Sequence, residues 1–205
     1  TEYDHAGRRV LYAVDKKSGY EKIYNWLREN PHRFNLGRLS LYCDGRRISS
    51  EDITDICQRL DLYEGILDSS FILHGVPVRV LTCCHPSSDT LAVKIKSELL
   101  DKGLLEAGLS FPYGSSDITG SDWEAWDRHE TQICEKKIDC SKDMLLCFKR
   151  RMDDAAYYAI IGSDSNLNVR QAGQHEYHFS IRDDKRLSFT LTYSQECPGF
   201  IPSVT

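Results

Sequence analysis

RLSFTLTY, residues 186–193, is the stretch that decides the fold. Apolar side chains occupy every second position, from Leu187 through Phe189 and Leu191 to Tyr193, and only hydroxyl side chains lie between them. Successive side chains of a β-strand point to opposite faces, so this period of two predicts a strand with one buried face. DTLAVKIKSELL, residues 89–100, repeats the pattern with charged residues on the other face, which is typical of an antiparallel sheet with one wet side.

The same alternation recurs along most of the chain. Further strand-like segments are NLGRLSLYC (35–43), QRLDLYEG (58–65), ILDSSFIL (66–73), VPVRVLTCC (76–84), LLEAGLSF (104–111), HETQICEKK (129–137), DMLLCFKR (143–150), AAYYAIIG (155–162) and HEYHFSI (175–181). Turn dipeptides such as Asp44-Gly45 separate some of them. Roughly ten strands with short turns predict an all-β fold, a large antiparallel two-sheet β-sandwich formed by residues 1–205 as a single domain.

One segment near the N-terminus has a helical period instead. SGYEKIYNWLRENP, residues 18–31, places Ile23, Trp26 and Leu27 at the i, i+3, i+4 spacing of one helix face. The proline that closes it disfavours the α conformation in the residue before it. We predict one short helix over about residues 19–29, with Trp26 as its core anchor.

Composition and charge exclude several partners. The chain has 205 residues, 40% hydrophobic and 28% charged, with a net charge of -5 and a pI near 5.8. This balance argues against nucleic acid, because phosphate binding needs clustered positive potential. The one basic run, Lys149-Arg150-Arg151, is predicted to be a solvated strand end. No apolar run reaches the roughly 20 residues of a membrane span, so we expect no membrane partner either.

The eight cysteines show no C-x-x-C spacing, so the sequence predicts neither a zinc site nor a disulfide scaffold. Several lie in apolar alternation, where a reduced cysteine is a small buried hydrophobe. This favours a cytoplasmic location. HEYH, residues 175–178, would place Glu176 and His178 on one strand face and His175 on the other, which excludes a histidine clamp on one face. We expect no metal and no cofactor.

The long irregular stretch 112–128 is the candidate functional loop, since such loops in compact sandwiches are usually functional or disordered. It contains most of SDWEAWDRHE, residues 121–130. Tryptophan and tyrosine rings stack on the apolar face of a sugar, while neighbouring acids, arginine and histidine hydrogen-bond its hydroxyls. The candidate sugar-binding residues are therefore Tyr113, Asp122, Trp123, Trp126, Arg128 and His129.

Two alternatives for this loop stay open. Trp123 and Trp126 could instead pin the loop to the sandwich core. The loop acids Asp117, Asp122, Glu124 and Asp127 could form a catalytic carboxylate pair of the glycosidase kind, which would make the chain a small hydrolase.

DITDICQRLDLYEGILDSSFILHGVPVRVLTCCHPSSDTLAVKIKS, residues 52–97, resembles the N-terminal sandwich of glycosidases and phosphorylases with an (α/α)6-barrel catalytic part. The segment 58–65, the V-x-V strand that follows, and the H-P-x-x-x-x-L-A-V run from His85 to Val93 carry the likeness. NPHRFNLGRLSL (30–41) and FPYGSSDITGSDW (111–123) resemble the same enzymes. The closest similarity is to glycoside hydrolase family 65 and its bacterial relatives, whose sandwich is of the large super-sandwich type.

The resemblance implies a non-catalytic sandwich domain from a larger glycosidase-like protein. In such enzymes the general-acid glutamate lies in the barrel, so we assign no catalytic residue to this chain. The sandwich packs on the barrel, and a loop can reach the rim of the substrate cleft; the 112–128 loop is the candidate. The implied partners are carbohydrate and the barrel of the same parent chain. The alternative is an autonomous carbohydrate-binding module. Docking of a barrel would require a large apolar patch on one sandwich face.

Overall fold

The computed structural model describes residues 2–11, 17–134 and 144–196, and within them the chain is mostly β. The strands are β1 (Glu2–His5), β2 (Arg8–Leu11), β3 (Arg38–Cys43), β4 (Arg46–Arg47), β5 (Ile53–Asp61), β6 (Ile66–Leu73), β7 (Val76–Cys84), β8 (Thr90–Lys96), β9 (Leu105–Ser110), β10 (His129–Cys134), β11 (Met144–Met152), β12 (Ala155–Ser163), β13 (Asn168–Gly173), β14 (Glu176–Ser180) and β15 (Arg186–Ser194). The α-helices are α1 (Glu21–Leu27) and α2 (Glu98–Asp101).

Two antiparallel sheets pack as a sandwich, which confirms the predicted fold class. The large sheet has the order β10-β11-β12-β15-β8-β7-β6-β5, and the small sheet has the order β13-β14-β9-β3-β4. A separate hairpin joins β1 and β2. β8, predicted to be a one-faced strand, lies near the middle of the large sheet beside β15.

The core lies between the two sheets and is built by the period-two residues. Leu187, Phe189 and Leu191 of β15 are buried, as the alternation predicts. Phe189 meets Phe179 of β14 edge-on at 4.9 Å between ring centroids, so this pair joins the large sheet to the small one. Edge-on packing is the favoured geometry for aromatic rings, and burial of such residues is the main stabilising term of the fold.

The predicted helix forms, but its predicted core anchor is wrong. α1 has no buried residue, and Trp26 is 67% exposed. The apolar stripe of α1 correctly indicates a helix, but a period of 3.6 says nothing about whether a partner surface covers it. A second difference concerns residues 97–101: the strand ends at Lys96, and the Ser97 hydroxyl accepts a hydrogen bond from the backbone N–H of Leu99 at 3.2 Å, capping α2.

The sequence missed the elements without a buried apolar face. β1 and β2 are fully exposed, and β13 is almost so, which removes the alternation that identifies a strand. Among the described residues, no helix combines the length and apolar character needed to cross a membrane.

Candidate functional site

Three neighbouring strands of the small sheet provide the floor of a cleft. Arg38 begins β3, Ser110 ends β9 and Glu176 begins β14, and the register pairs Ser110 with both of the others. Adjacent strands lie about 4.8 Å apart, so the backbones of Arg38 and Glu176 are separated by roughly 10 Å. All three side chains share the outer face of the sheet, because the residues next to them, such as Leu109 and Tyr177, enter the core.

The 112–128 loop provides the opposite wall. Tyr113 and Asp122 pair through two backbone hydrogen bonds of 2.9 and 2.8 Å, which bring the ends of the intervening loop together. The indole N–H of Trp126 donates to the carbonyl oxygen of Trp123 at 2.5 Å. The loop is therefore a folded unit with both tryptophans at one end.

The turn before β14 holds the tryptophan end of the loop. His175 Nε2 and Gln174 Nε2 lie 2.8 and 3.2 Å from the carbonyl oxygen of Trp126, so both nitrogens donate to it. The cleft between this turn, the loop and the sheet has a volume of about 440 Å³. Its walls are Arg38, Ser110, Phe111, Trp123, Trp126 and residues 173–176.

The two tryptophans occupy different environments in this cleft. Trp126 is 57% exposed, so a large aromatic surface is open to solvent. Trp123 is partly buried, and the guanidinium of Arg38 lies 3.8 Å from its ring centroid. Trp126 is thus an open aromatic platform, whereas Arg38 covers Trp123.

A buried arginine behind the cleft fixes both ends of the loop. Arg150 is fully buried and donates to the carbonyl oxygens of Glu130 and Pro112 at 2.8 and 3.2 Å. The same guanidinium also bonds Thr131 Oγ1 and His129 Nδ1. The prediction of a solvated strand end at 149–151 is therefore wrong for Arg150, because the alternation of β11 places this side chain inside the sandwich.

Hydrogen bonds connect this arginine to the cleft. Arg150 donates to the Thr131 hydroxyl, and Thr131 Oγ1 lies 2.8 Å from His175 Nδ1. Because the Nε2–H of His175 donates to Trp126, its Nδ1 accepts from Thr131. The relay from Arg150 through Thr131 and His175 to the Trp126 backbone therefore sets the position of the platform.

The two histidines of this network are held uncharged. Burial, the Arg150 cation and His175 lower the pKa of His129 from 6.5 to about 4. Burial also lowers the pKa of His175, whose ring lies 3.9 Å from that of His129 between centroids. A neutral His129 is required in any case, since its Nδ1 accepts a hydrogen bond from Arg150.

The structure brings two of the six predicted sugar-binding residues to the cleft, Trp123 and Trp126. Tyr113 is buried, and its hydroxyl donates to Asp153 and accepts from Arg128, each at 2.7 Å. The remaining predicted residues also lie outside the cleft lining. His129 bonds Arg150, and the Asp122 carboxylate accepts the backbone N–H of Glu124 at 3.0 Å.

Several residues that line the cleft were not identified from the sequence, namely Arg38, Ser110, Gln174, His175 and Glu176. Arg38 and Ser110 are strand ends that only the cross-strand register brings together. His175 and Glu176 of the HEYH segment were considered from the sequence only as metal ligands. In the structure, no group of three or more histidine, cysteine or acidic side chains within residues 2–11, 17–134 and 144–196 could hold a metal ion.

A second polar cluster continues the row along the outer face of the small sheet. His178 is buried between Glu176 and Glu106, at 2.8 and 3.1 Å from their carboxylate oxygens. Arg170 binds Glu106 through two nitrogens, at 2.5 and 3.2 Å, and together with His178 it lowers the pKa of that carboxyl despite its burial. Within this cluster, one carboxylate oxygen of Glu176 is bonded to His178.

Comparison with known proteins adds no relative: no family model matches the chain, and no curated protein matches it. The similarity to glycoside hydrolase family 65 stays a prediction from the quoted motifs.

Proposed function

We propose that the chain is a non-catalytic β-sandwich domain of a carbohydrate-active enzyme, a glycoside hydrolase or phosphorylase, and that its cleft binds carbohydrate. The observation that carries the proposal is the open Trp126 ring in a cleft that also contains the polar side chains of Arg38, Gln174 and Glu176. A pyranose has an apolar face and a rim of hydroxyls, and this pairing of surfaces suits it.

The polar groups around Trp126 match the hydroxyls of a sugar. Gln174 supplies an amide, Glu176 a carboxylate and Arg38 a guanidinium. The cleft therefore contains both hydrogen-bond donors and hydrogen-bond acceptors. Its volume of about 440 Å³ lies in the range of about 300–1,000 Å³ that is usual for small-molecule sites.

The arrangement of the acids favours a non-catalytic role. Hydrolysis of a glycosidic bond generally needs two carboxyl groups that flank it. Glu176 is the one carboxylate among the described cleft residues, and Asp117, Asp122, Glu124 and Asp127 lie outside the lining. Asp117 and Asp122 instead accept backbone N–H groups within the loop, at 2.6 and 3.0 Å.

The outer face of the large sheet supports a scaffold role beside a barrel. On this face the register aligns one uncharged residue from each of five successive strands, namely Cys83, Ala92, Thr190, Gly162 and Leu145, of which Thr190 and Gly162 are buried within the chain itself. A wet face of an antiparallel sheet normally carries charges at such positions. We propose that this row packs on the (α/α)6 barrel that the motif resemblance implies.

We also propose a reducing compartment, the cytoplasm. Within the described residues, Cys43, Cys57, Cys83, Cys84 and Cys134 are free thiols. Free cysteines persist where glutathione and thioredoxin keep thiols reduced.

The test is a calorimetric and fluorescence screen of the 205-residue chain against α-linked glucose disaccharides and polysaccharides. We expect binding with a change in tryptophan fluorescence, and a loss of at least about tenfold in affinity in Trp126→Ala, the upper part of the range for a stacked aromatic contact. Trp26→Ala is the matched control, because Trp26 is 67% exposed on α1 and lies outside the cleft lining.

An unchanged affinity in Trp126→Ala, or no binding across the panel, would contradict the sugar site. Tight binding by this chain without any barrel would favour the alternative, an autonomous carbohydrate-binding module.

A further inference from the structure

Arg38 is a cleft cation whose terminal nitrogens have no protein acceptor among the described residues. We propose that the preferred ligand of the cleft is an acidic saccharide of the uronic acid type, whose carboxylate pairs with Arg38 while its ring stacks on Trp126. This inference rests on the proposed carbohydrate site and names the class of its ligand.

The environment of the Arg38 guanidinium supports a role in ligand binding. Its central carbon lies over the Trp123 ring, 3.8 Å from the ring centroid. Across residues 2–11, 17–134 and 144–196, it makes no hydrogen bond and no ion pair. Its Nε is buried without a partner, whereas its two terminal nitrogens are not among the buried unpartnered atoms and so remain accessible. Those two nitrogens can donate in parallel to the two oxygens of one carboxylate.

Glu176 does not take this role within the protein. Its strand is two positions away from β3, with Ser110 between, and its carboxylate lies 2.8 Å from His178 Nε2. No ion pair between Arg38 and Glu176 occurs in the part of the chain that the structure describes. The register therefore separates the two charges.

The local charge favours an anion although the whole chain is acidic. Burial and the neighbouring Arg47 cation lower the pKa of Arg38, while Tyr42 and Glu176 raise it. Arg47 is exposed and lies outside the cleft lining, and its charge adds to the positive potential around Arg38. His175 adds no charge at neutral pH, since burial lowers its pKa. An incoming carboxylate gains from both arginines.

A planar carboxylate fits the site better than a lone hydroxyl. Arginine presents a rigid planar fork that matches the two coplanar oxygens of a carboxylate, and charge-assisted bonds of this kind are roughly twice as strong as neutral ones. On a uronic acid the carboxylate is attached directly to the ring, so stacking on Trp126 can direct it towards the Trp123 side of the cleft, where Arg38 lies.

Four ligands with the same ring test this assignment: methyl glucoside, methyl glucuronide, the methyl ester of that glucuronide and methyl glucoside 6-phosphate. Each is titrated by NMR chemical-shift perturbation into the unmodified chain, Arg38→Met and Arg182→Met. We expect the glucuronide to bind at least about tenfold tighter than the glucoside and the ester, the difference that one charge-assisted pair supplies. Arg38→Met should abolish this preference, so that the glucuronide and the glucoside bind this variant with equal affinity.

Arg182→Met is the matched control, because it removes one exposed arginine beyond the far end of β14. It should leave the preference unchanged. Equal affinity for glucuronide and glucoside, or a preference that survives in Arg38→Met, would overturn the acidic-sugar assignment and leave the carbohydrate site standing. Tightest binding by the 6-phosphate would replace the carboxylate with a phosphate ester. Failure of all four ligands to bind would overturn the assignment together with the proposed function.

Discussion

Two arginines, Arg150 and Arg38, lie against aromatic rings near the cleft and differ in their acceptors. The Arg150 guanidinium is 4.8 Å from the Phe111 ring, and that of Arg38 is 3.8 Å from the Trp123 ring. Burial is the largest cause that lowers the pKa of each. Both Nε atoms are buried without partners, so the difference lies in the terminal nitrogens.

The terminal nitrogens of Arg150 are used within the protein, while those of Arg38 are open. Arg150 bonds two carbonyl oxygens, a hydroxyl and an imidazole. Arg38 makes no such bond to the described residues. Stacking and burial are therefore common to a structural and a binding arginine, and the supply of acceptors separates the two roles.

The largest effect is expected from Arg150→Met. The substitution removes the donor from two buried and two partly buried hydrogen bonds, so we expect the free energy of unfolding to fall by about 3 kcal/mol. Sugar affinity should fall as well, because Arg150 no longer holds Thr131, and through Thr131 and His175 the backbone of Trp126, in position. Urea unfolding measures the first effect and calorimetry the second.

Lys149→Met is the control for this substitution, since Lys149 is the adjacent residue of β11 and its side chain points to the other face. A loss below about 1 kcal/mol in Arg150→Met, the usual range of a surface substitution, would mean that the network contributes little.

A smaller effect is expected from the histidine that accepts from Arg150. The pKa of His129 is about 4 in the folded chain against 6.5 for a free imidazole, so the unfolded state binds more protons between these values. The free energy of unfolding should therefore fall as the pH drops from about 6.5 to about 4, by about 1 kcal/mol between pH 7 and pH 5.

Urea unfolding at pH 7 and pH 5 measures this loss, and His129→Gln should reduce it. The glutamine keeps a carbonyl oxygen that can accept from Arg150 but has no imidazole to protonate. His32→Gln, the same substitution at an exposed position, is the matched control. An equal loss in the chain and in His129→Gln would show that His129 is not held neutral.

Sequence patterns predicted the strands of the sandwich well because burial leaves a regular trace. In β15, every buried apolar residue follows the period of two. The same rule contained the correct answer for Arg150: Leu146, Phe148, Arg150 and Met152 share one face of β11 and are all buried. The three charges of the 149–151 run predict an exposed strand end, whereas the period of two predicts a buried Arg150. The structure agrees with the period.

The cleft was predictable only in part. Trp123 and Trp126 stood out by residue type and by their position in a long loop. Arg38 and Glu176 lie 138 positions apart in the numbering of the chain, and only the order β14-β9-β3 brings them into one row. Trp26 shows that a clear pattern can also mislead. It lies in the apolar stripe of a helix, yet its side chain is exposed.

The smallest effect is expected from Arg38→Met, the same substitution at the open arginine. Methionine can keep the apolar contact with Trp123, and the lost cation–π interaction is worth about 0.5–1 kcal/mol at a partly exposed site. No described acceptor is left without its donor, so the urea midpoint should move far less than in Arg150→Met. If the two substitutions cost the same free energy, Arg38 is a structural clamp on Trp123 rather than a group held ready for a ligand. A small loss of stability combined with a lost preference for the acidic sugar would identify Arg38 as a ligand-binding residue. Such a residue contributes little to folding but decides which ligand the cleft prefers.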